Sequence, residues 1–254
     1  MKTFFAEYKT DYTTYTFSYA AYCVKEQQHE LPDIYSQGFL PYTGNTALQD
    51  DTFYMARSLR IDLNLFKSSS ENRRVDRKIA PLEISMQIDP KKDFDQEDEN
   101  FRRFCSEYAE ERFAGGSMDA DRLQYVLSRE TLSHIISFRS ADKVYGYVFA
   151  VLEGNMLHYW FSFYDTEYMR SHSLGKWMMW KVIVWAQEQG LAHMYIGTCY
   201  KEKSLYKVRD HKGAEFFDGQ KWNTKVDLLK ELCKTDEEEK LQDMYKSRPE
   251  VFQP

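Results

Sequence analysis

Between Asn155 and Gly190, apolar and polar residues follow one another in the order that a strand, a loop and a helix require. Leu157 to Tyr164 is apolar and aromatic and stops at Asp165. A polar stretch leads to Arg170-Ser-His-Ser-Leu-Gly175, and a long apolar run then closes at Gly190. That run is apolar nearly all round, which predicts a buried helix with Trp177, Trp180 and Trp185 in the core. The first backbone N–H groups of a helix have no intrahelical acceptor and favour an anion. The pattern therefore points to a phosphate-like group near Ser173, Leu174 and Gly175.

Upstream, Thr, Tyr and Phe are dense from Tyr8 to Tyr22 and predict strands. Turn signals stand at Leu31-Pro-Asp and at Pro41-Tyr-Thr-Gly44-Asn, and Phe53 to Leu63 reads as another strand. Ser68 to Ser70 caps a short helix, and Pro81 to Ile88 reads as a strand. Lys91 to Asn100 is an acidic, polar connection. Phe101, Phe104, Cys105 and Tyr108 have helical spacing, Gly115-Gly116 stops that helix, and Asp119 or Asp121 opens the next one, through Leu127. Strands at Leu132–Phe138 and Val144–Leu152 are joined by Ser140-Ala-Asp-Lys, and Glu153-Gly-Asn155 makes a hairpin into the aromatic strand. After Gly190 come a strand (His193–Tyr200), a short helix (Lys201–Val208), a turn at Gly213, a strand around Glu215–Phe217 and a helix through Cys233 capped by Asn223 or Thr224. The tail from Thr235 reads as a surface helix.

Charge changes the picture at one place. The chain of 254 residues carries a net −6, yet Arg57 to Lys78 holds seven bases against three acids. The capped helix would present Arg73, Arg74, Arg77 and Lys78, with Lys67 just before it; Arg74, Arg77 and Lys78 share a face by i, i+3, i+4 spacing. Such a face grips a phosphodiester backbone or is simply a solvated surface. Aromatics form 16% of the chain, which excludes disorder over most of its length. The four cysteines (Cys23, Cys105, Cys199, Cys233) are far apart, and His134, His158 and His193 lack ligand spacing, so no disulfide framework or metal site is expected. With no leader and no membrane-length apolar span, a soluble cytoplasmic protein is expected, with its oligomeric state open.

Residues 132–217 read strand, hairpin, strand, loop, helix, strand, helix, strand, an order that resembles the GNAT acyltransferase core. Arg170-Ser-His-Ser173-Leu-Gly175 is similar to that family's Arg/Gln-x-x-Gly-x-Gly/Ala loop, with Ser173 in place of the first glycine. Phe163-Tyr-Asp165, Ser173-Leu-Gly175, Tyr195-Ile-Gly197 and Tyr206-Lys207, together with Phe66 to Lys78, resemble the arginyl-tRNA–protein transferases and their bacterial leucyl relatives. The resemblance covers about residues 53–88 and 144–222. It implies an α+β, GNAT-like fold with a mixed, mostly antiparallel sheet flanked by helices and an N-terminal β-rich extension. The division would be a β-rich region with the basic helix (1–80), a catalytic domain (81–234) and a helical tail (235–254).

The same resemblance implies an aminoacyltransferase that moves arginine or a similar residue from charged tRNA to the α-amino group of a protein or peptide. Aminoacyl-tRNA is then a co-substrate and no cofactor is needed. Asp165 would orient the amine or take its proton, and Tyr206 would donate to the leaving 3′ oxygen. Tyr164, Ser173, Leu174, Gly175, Lys207 and Glu215 would contact substrate. Lys67, Arg73, Arg74, Arg77 and Lys78 would hold tRNA. The plainer readings are a helix cap for Asp165 and a packed ring for Tyr206. The alternatives are an N-acyltransferase using acetyl-coenzyme A, or a GNAT-like module that binds RNA or protein without turnover.

Overall fold

In the computed structural model, residues 1–13, 16–112 and 118–238 are described, and every element named here belongs to them. In chain order these are β1 (Lys2–Asp11), β2 (Thr16–Val24), α1 (Leu31–Ser36), β3 (Phe39–Pro41), β4 (Thr52–Met55), β5 (Ser58–Asp62), α2 (Ser70–Ile79), β6 (Ser85–Pro90), α3 (Glu99–Arg112) and α4 (Ala120–Ser128). There follow β7 (His134–Arg139), β8 (Val144–Glu153), β9 (Met156–Tyr164), α5 (Thr166–His172), α6 (Leu174–Glu188), β10 (His193–Thr198), α7 (Tyr206–Arg209), β11 (Ala214–Phe217), β12 (Trp222–Asn223) and α8 (Val226–Glu238). The α+β class expected from the sequence holds: sheet strands with helices, and an N-terminal β-sheet.

The chain forms two compact units. The first comprises Met1–Tyr42, Asp50–Lys67 and Tyr195–Pro254; the second comprises Thr43–Gln49 and Ser68–Met194. In the first unit, β1, β2, β4 and β3 form an antiparallel sheet in that order. β12, β11, β5 and β10 are also neighbours in that order. Its core holds Leu31, Ile34, Tyr35, Phe39, Phe53, Leu59, Ile61, Tyr195 and Phe216, each at most 2% exposed. Tyr35 packs edge-on to Phe53 and lies 4.9 Å from the ring of Tyr195.

In the second unit, β9, β8, β7 and β6 form antiparallel ladders. Strand β8 is buried on both faces, and alternation sorts its side chains. Tyr147 and Phe149 join Phe101, Cys105, Leu123, Val126 and Phe163 in the cluster under α3 and α4. Gly146 faces Met178 of α6, and Phe138 on β7 meets Trp177 at 5.8 Å. Gly154 turns the β8–β9 hairpin with φ +54°, which glycine adopts without a Cβ clash.

Helix α6 is apolar on more than one side because α2 covers it. The Trp177 indole N–H donates to Asp76 Oδ1 at 2.8 Å, and that of Trp180 donates to Ser68 Oγ at 2.9 Å. Each bond lets a large ring be buried without stranding its N–H. α2 starts on Ser69, whose Oγ accepts from Asn72 N at 3.1 Å while Asn72 Oδ1 accepts from Ser69 N at 2.8 Å. Its apolar residues Val75 and Ile79 are buried, and its charged residues other than Asp76 are exposed.

Several expectations are corrected. Leu31-Pro-Asp is no turn but the first residues of α1, since proline at the start of a helix lacks only an N–H that has no acceptor there. Ala80–Leu82 is a 3-10 turn, so the strand expected from Pro81 starts at Ser85. The polar stretch after Asp165 is helical, as α5. The strand expected to reach Tyr200 ends at Thr198, and β12 is an added strand that pairs with β11. Gly115-Gly116 and the tail from residue 239 lie outside the described residues.

One close approach aligns the strand–helix crossover. A Cβ on Gly175 would sit 2.6 Å from Cζ of Tyr164. Gly175→Ala would otherwise favour the helix by up to about 1 kcal/mol. We expect it instead to cost about 1–3 kcal/mol through overpacking, measured by urea unfolding. Coupling with Tyr164→Leu, which removes the ring, should restore most of the loss; an unchanged midpoint for Gly175→Ala would refute the contact.

Candidate active site

The β9–α5–α6 crossover of the second unit is built around Asp165. Its N–H donates to Tyr145 O at 2.9 Å, continuing the ladder one residue beyond β9. Its Oδ1 accepts from the N–H groups of Glu167 (2.9 Å) and Tyr168 (3.3 Å), which caps α5. Its Oδ2 pairs with Lys143 Nζ at 2.7 Å. That Nζ also lies over the ring of Tyr168 at 4.7 Å and within 5.3 Å of Tyr145. The hydrogen bond to Asp165 raises the Lys143 ammonium above the ordinary lysine value. Lys143 was missed by sequence reasoning, which took Ser140 to Lys143 only as a turn. No linear spacing links 143 to 165; the β8–β9 register brings them together.

Ser173 is the joint between two helices. It closes α5 and opens α6 with φ +57° and ψ +39°, a left-handed conformation that a serine seldom adopts. Its N–H donates to Met169 O at 3.2 Å, and its carbonyl accepts from Lys176 and Trp177, each at 3.1 Å. The N–H groups of Leu174 and Gly175 precede that first pair of bonds, the arrangement that favours an anion. The Leu174 side chain is fully buried. Tyr164, half-buried, covers Gly175, so the glycine is accounted for by a ring of the protein itself.

The basic helix reaches this joint. Lys78 Nζ donates to the carbonyl of Ser171 in α5. Arg73 donates to Ser68 O at 2.9 Å, and Arg74 forms two 2.7 Å bonds with Glu71. Arg73, Arg74, Arg77 and Lys78 are all exposed. The second unit thus carries Asp165, Tyr164, Ser173, Leu174, Gly175 and the basic face of α2.

Tyr206, Lys207, Glu215 and Lys67 belong to the first unit. Lys67 is exposed. Tyr206 is the first residue of α7 and half-buried. Part of the Lys207 stem is exposed, but its Nζ turns inward to Thr198 O at 3.1 Å, and a Cβ on Gly197 would lie 3.5 Å from it. Desolvation lowers this ammonium below the ordinary lysine value. Glu215 sits directly opposite Arg60 in the β11–β5 ladder and accepts its Nε–H at 2.7 Å; the same guanidinium covers Trp222 at 4.2 Å. No linear spacing pairs Glu215 with Arg60; the ladder register does. Among the described residues no three His, Cys, Asp or Glu side chains are grouped to hold a metal ion, and no helix is long and apolar enough to cross a membrane.

No curated protein matches the chain in sequence. Solved structures resemble it at low identity. The C-terminal domain of an Agrobacterium fabrum protein described as a lysylphosphatidylglycerol synthetase is 11% identical, with a TM-score of 0.46 over 57% of this chain and 46% of that one. L-PGS from Bacillus licheniformis is 13% identical, with a TM-score of 0.44 over 70% and 54%. FemX is 11% identical, with a TM-score of 0.41 over 72% and 65%. The chain thus spans between 46% and 65% of the solved chains it resembles. Residues 72–208, more than half of the sequence and including the whole β9–α5–α6 crossover, match the family described as Acetyltransferase (GNAT) domain, and the chain belongs to that family.

Proposed function

We propose that this GNAT domain moves an amino acid, arginine or a similar one, from charged tRNA to the α-amino group of a protein or peptide. The observation that supports it most is the seating of basic helix α2 against the α5–α6 joint, with Lys78 bonded to Ser171 O. A polyanion reaching the open N–H groups of Leu174 and Gly175 would meet Arg73, Arg77 and Lys78 on the way. A coenzyme A diphosphate needs only the helix start, and there the Tyr164 ring and the Ser173 side chain narrow the approach.

In the proposed reaction the acceptor nitrogen attacks the ester carbonyl. The new C–N bond forms, the bond to the tRNA 3′ oxygen breaks, the amine gives up one proton to water, and the leaving oxygen gains one from a phenol that water then reprotonates. Asp165 already accepts three hydrogen bonds out of about four that a carboxylate offers. It would therefore orient the acceptor ammonium through Oδ2 rather than serve as its base. The amine has an ordinary pKa of about 8 and is partly neutral near pH 7 without help. Tyr206 would give its phenolic proton to the leaving oxygen. The Arg60 bond leaves Glu215 Oε1 for a basic side chain. Lys207, as ammonium, would steady negative charge on the donor.

The second reading, acetyl transfer from acetyl-coenzyme A, is favoured by the description of the matched family. The two separate when the chain is incubated with a peptide bearing a free α-amine and either labelled arginyl-tRNA or labelled acetyl-coenzyme A. Label reaching the peptide from tRNA supports the proposal. Label from acetyl-coenzyme A alone overturns it. Salt-sensitive RNA binding without transfer from either donor leaves only a binding module.

Arg73→Ala with Arg77→Ala should weaken tRNA binding about tenfold at low salt for every tRNA sequence, and reduce the salt slope by roughly one or two. Equal affinity for the double variant would remove α2 from the interface. Lys207 loses its charge as pH rises through its lowered value, before ordinary lysines at about 10.4. Binding of uncharged tRNA should accordingly fall on the alkaline side in wild type. In Lys207→Arg, whose charge persists, the fall should move to higher pH; superimposable profiles would show that Lys207 holds no part of the donor.

A further inference from the structure

Cys199 and Cys233 stand 34 residues apart and share no motif, yet their sulfurs lie 3.7 Å apart in the first unit. Cys199 follows β10 directly and Cys233 lies in α8; both are fully buried. A common frame holds them. Cys199 N–H donates to Arg57 O at 3.0 Å, and Arg57 Nη1 donates to Cys199 O at 3.4 Å. The same guanidinium binds Asp236 of α8, one turn beyond Cys233, at 2.7 and 3.2 Å. Cys233 Sγ also lies 3.7 Å from Cys199 O. Backbone and guanidinium thus fix both sides of the sulfur pair.

We propose that Cys199 and Cys233 are a modification site: a dithiol that a hydroperoxide oxidises reversibly to a disulfide. The hydrogen bond from Cys199, with Arg57 nearby, favours the Cys233 thiolate, whereas Cys199 is held protonated by the same hydrogen bond and by burial. Cys233 sulfur attacks one peroxide oxygen; an S–O bond forms, the O–O bond breaks, and the departing oxygen leaves as water with the proton that the pair held. Cys199 sulfur then attacks the Cys233 sulfenic acid; the S–S bond forms, the S–O bond breaks and a second water leaves. Two thiols and one hydrogen peroxide give one disulfide and two waters. Closing 3.7 Å to a bond of about 2.05 Å moves the sulfurs by roughly 1.7 Å, within reach of side-chain rotation and a small helix shift. Both sulfurs are fully buried, so peroxide and a reducing thiol reach them as the chain opens locally, and the thiol reverses the step by exchange.

The chain carries its own controls. Cys23 and Cys105 are buried too, but burial pushes both thiols up, Cys23 to about 12. The test is mild hydrogen peroxide on the folded full chain, then denaturation in an alkylating reagent and peptide mapping. The expected result is a loss of about 2 Da, alkylation confined to Cys23 and Cys105, a linked peptide pair spanning 199 and 233, and full return with dithiothreitol. The thermal midpoint should rise by about 5 °C on oxidation. In Cys199→Ser, Cys233 should instead gain about 16 Da as a sulfenic acid that dimedone traps. Four alkylated thiols after peroxide, oxidation spread evenly over all four, or links between chains would each overturn the proposal. The wild-type mapping stands even where a variant fails to fold.

Discussion

The second unit depends on how close strand β9 comes to helix α6. The ring of Tyr164 lies where a side chain at 175 would begin, so the strand end and the helix start are set against each other at contact distance. That contact would be useless without control of the chain between them. Asp165 supplies it, since its N–H continues the β9 ladder by one residue while its carboxylate caps α5. Lys143 then fixes the carboxylate from the β7–β8 turn, and two tyrosine rings fix the ammonium. The N–H groups at 174 and 175, the first of α6, are oriented by this chain of contacts, not by the loop alone.

The distribution of charge has the same local character. The acids outnumber the bases overall, and most exposed pairs on the surface are worth little by themselves. On α2, however, the acids are turned to other tasks. Asp76 accepts from the Trp177 indole, and Glu71 pairs with Arg74. Arg73, Arg77 and Lys78 therefore remain as an exposed positive field beside the joint, and a local field of this kind acts on a polyanion within about one Debye length, roughly 8–10 Å.

The sequence made much of the fold legible, because its strongest signals are local. Strands β7 to β9, helix α6, the Asp119 and Ser69 caps and the hairpin at Gly154 all follow from apolar period and cap chemistry. The failures are also local in origin. Pro32 reads as a turn signal although it stands in the first turn of α1, and α5 is too short and polar to show an apolar stripe. Of the candidate site, only the backbone placement was legible: Asp165, Ser173 and Gly175 stand where the strand ends and the helices start. Its partners were not. Lys143 with Asp165, Arg60 with Glu215, and Cys199 with Cys233 are brought together by register or tertiary packing, which leave no trace in linear spacing.

Ser173 carries a further implication. A side chain in the left-handed region costs the folded state on the order of 1 kcal/mol or more relative to glycine. Glycine there would make the same joint with less frustration, so the position is not optimised for rigidity. Ser173→Gly would relieve that strain but widen the freedom of the unfolded chain, so the firmness of the joint is the balance of the two.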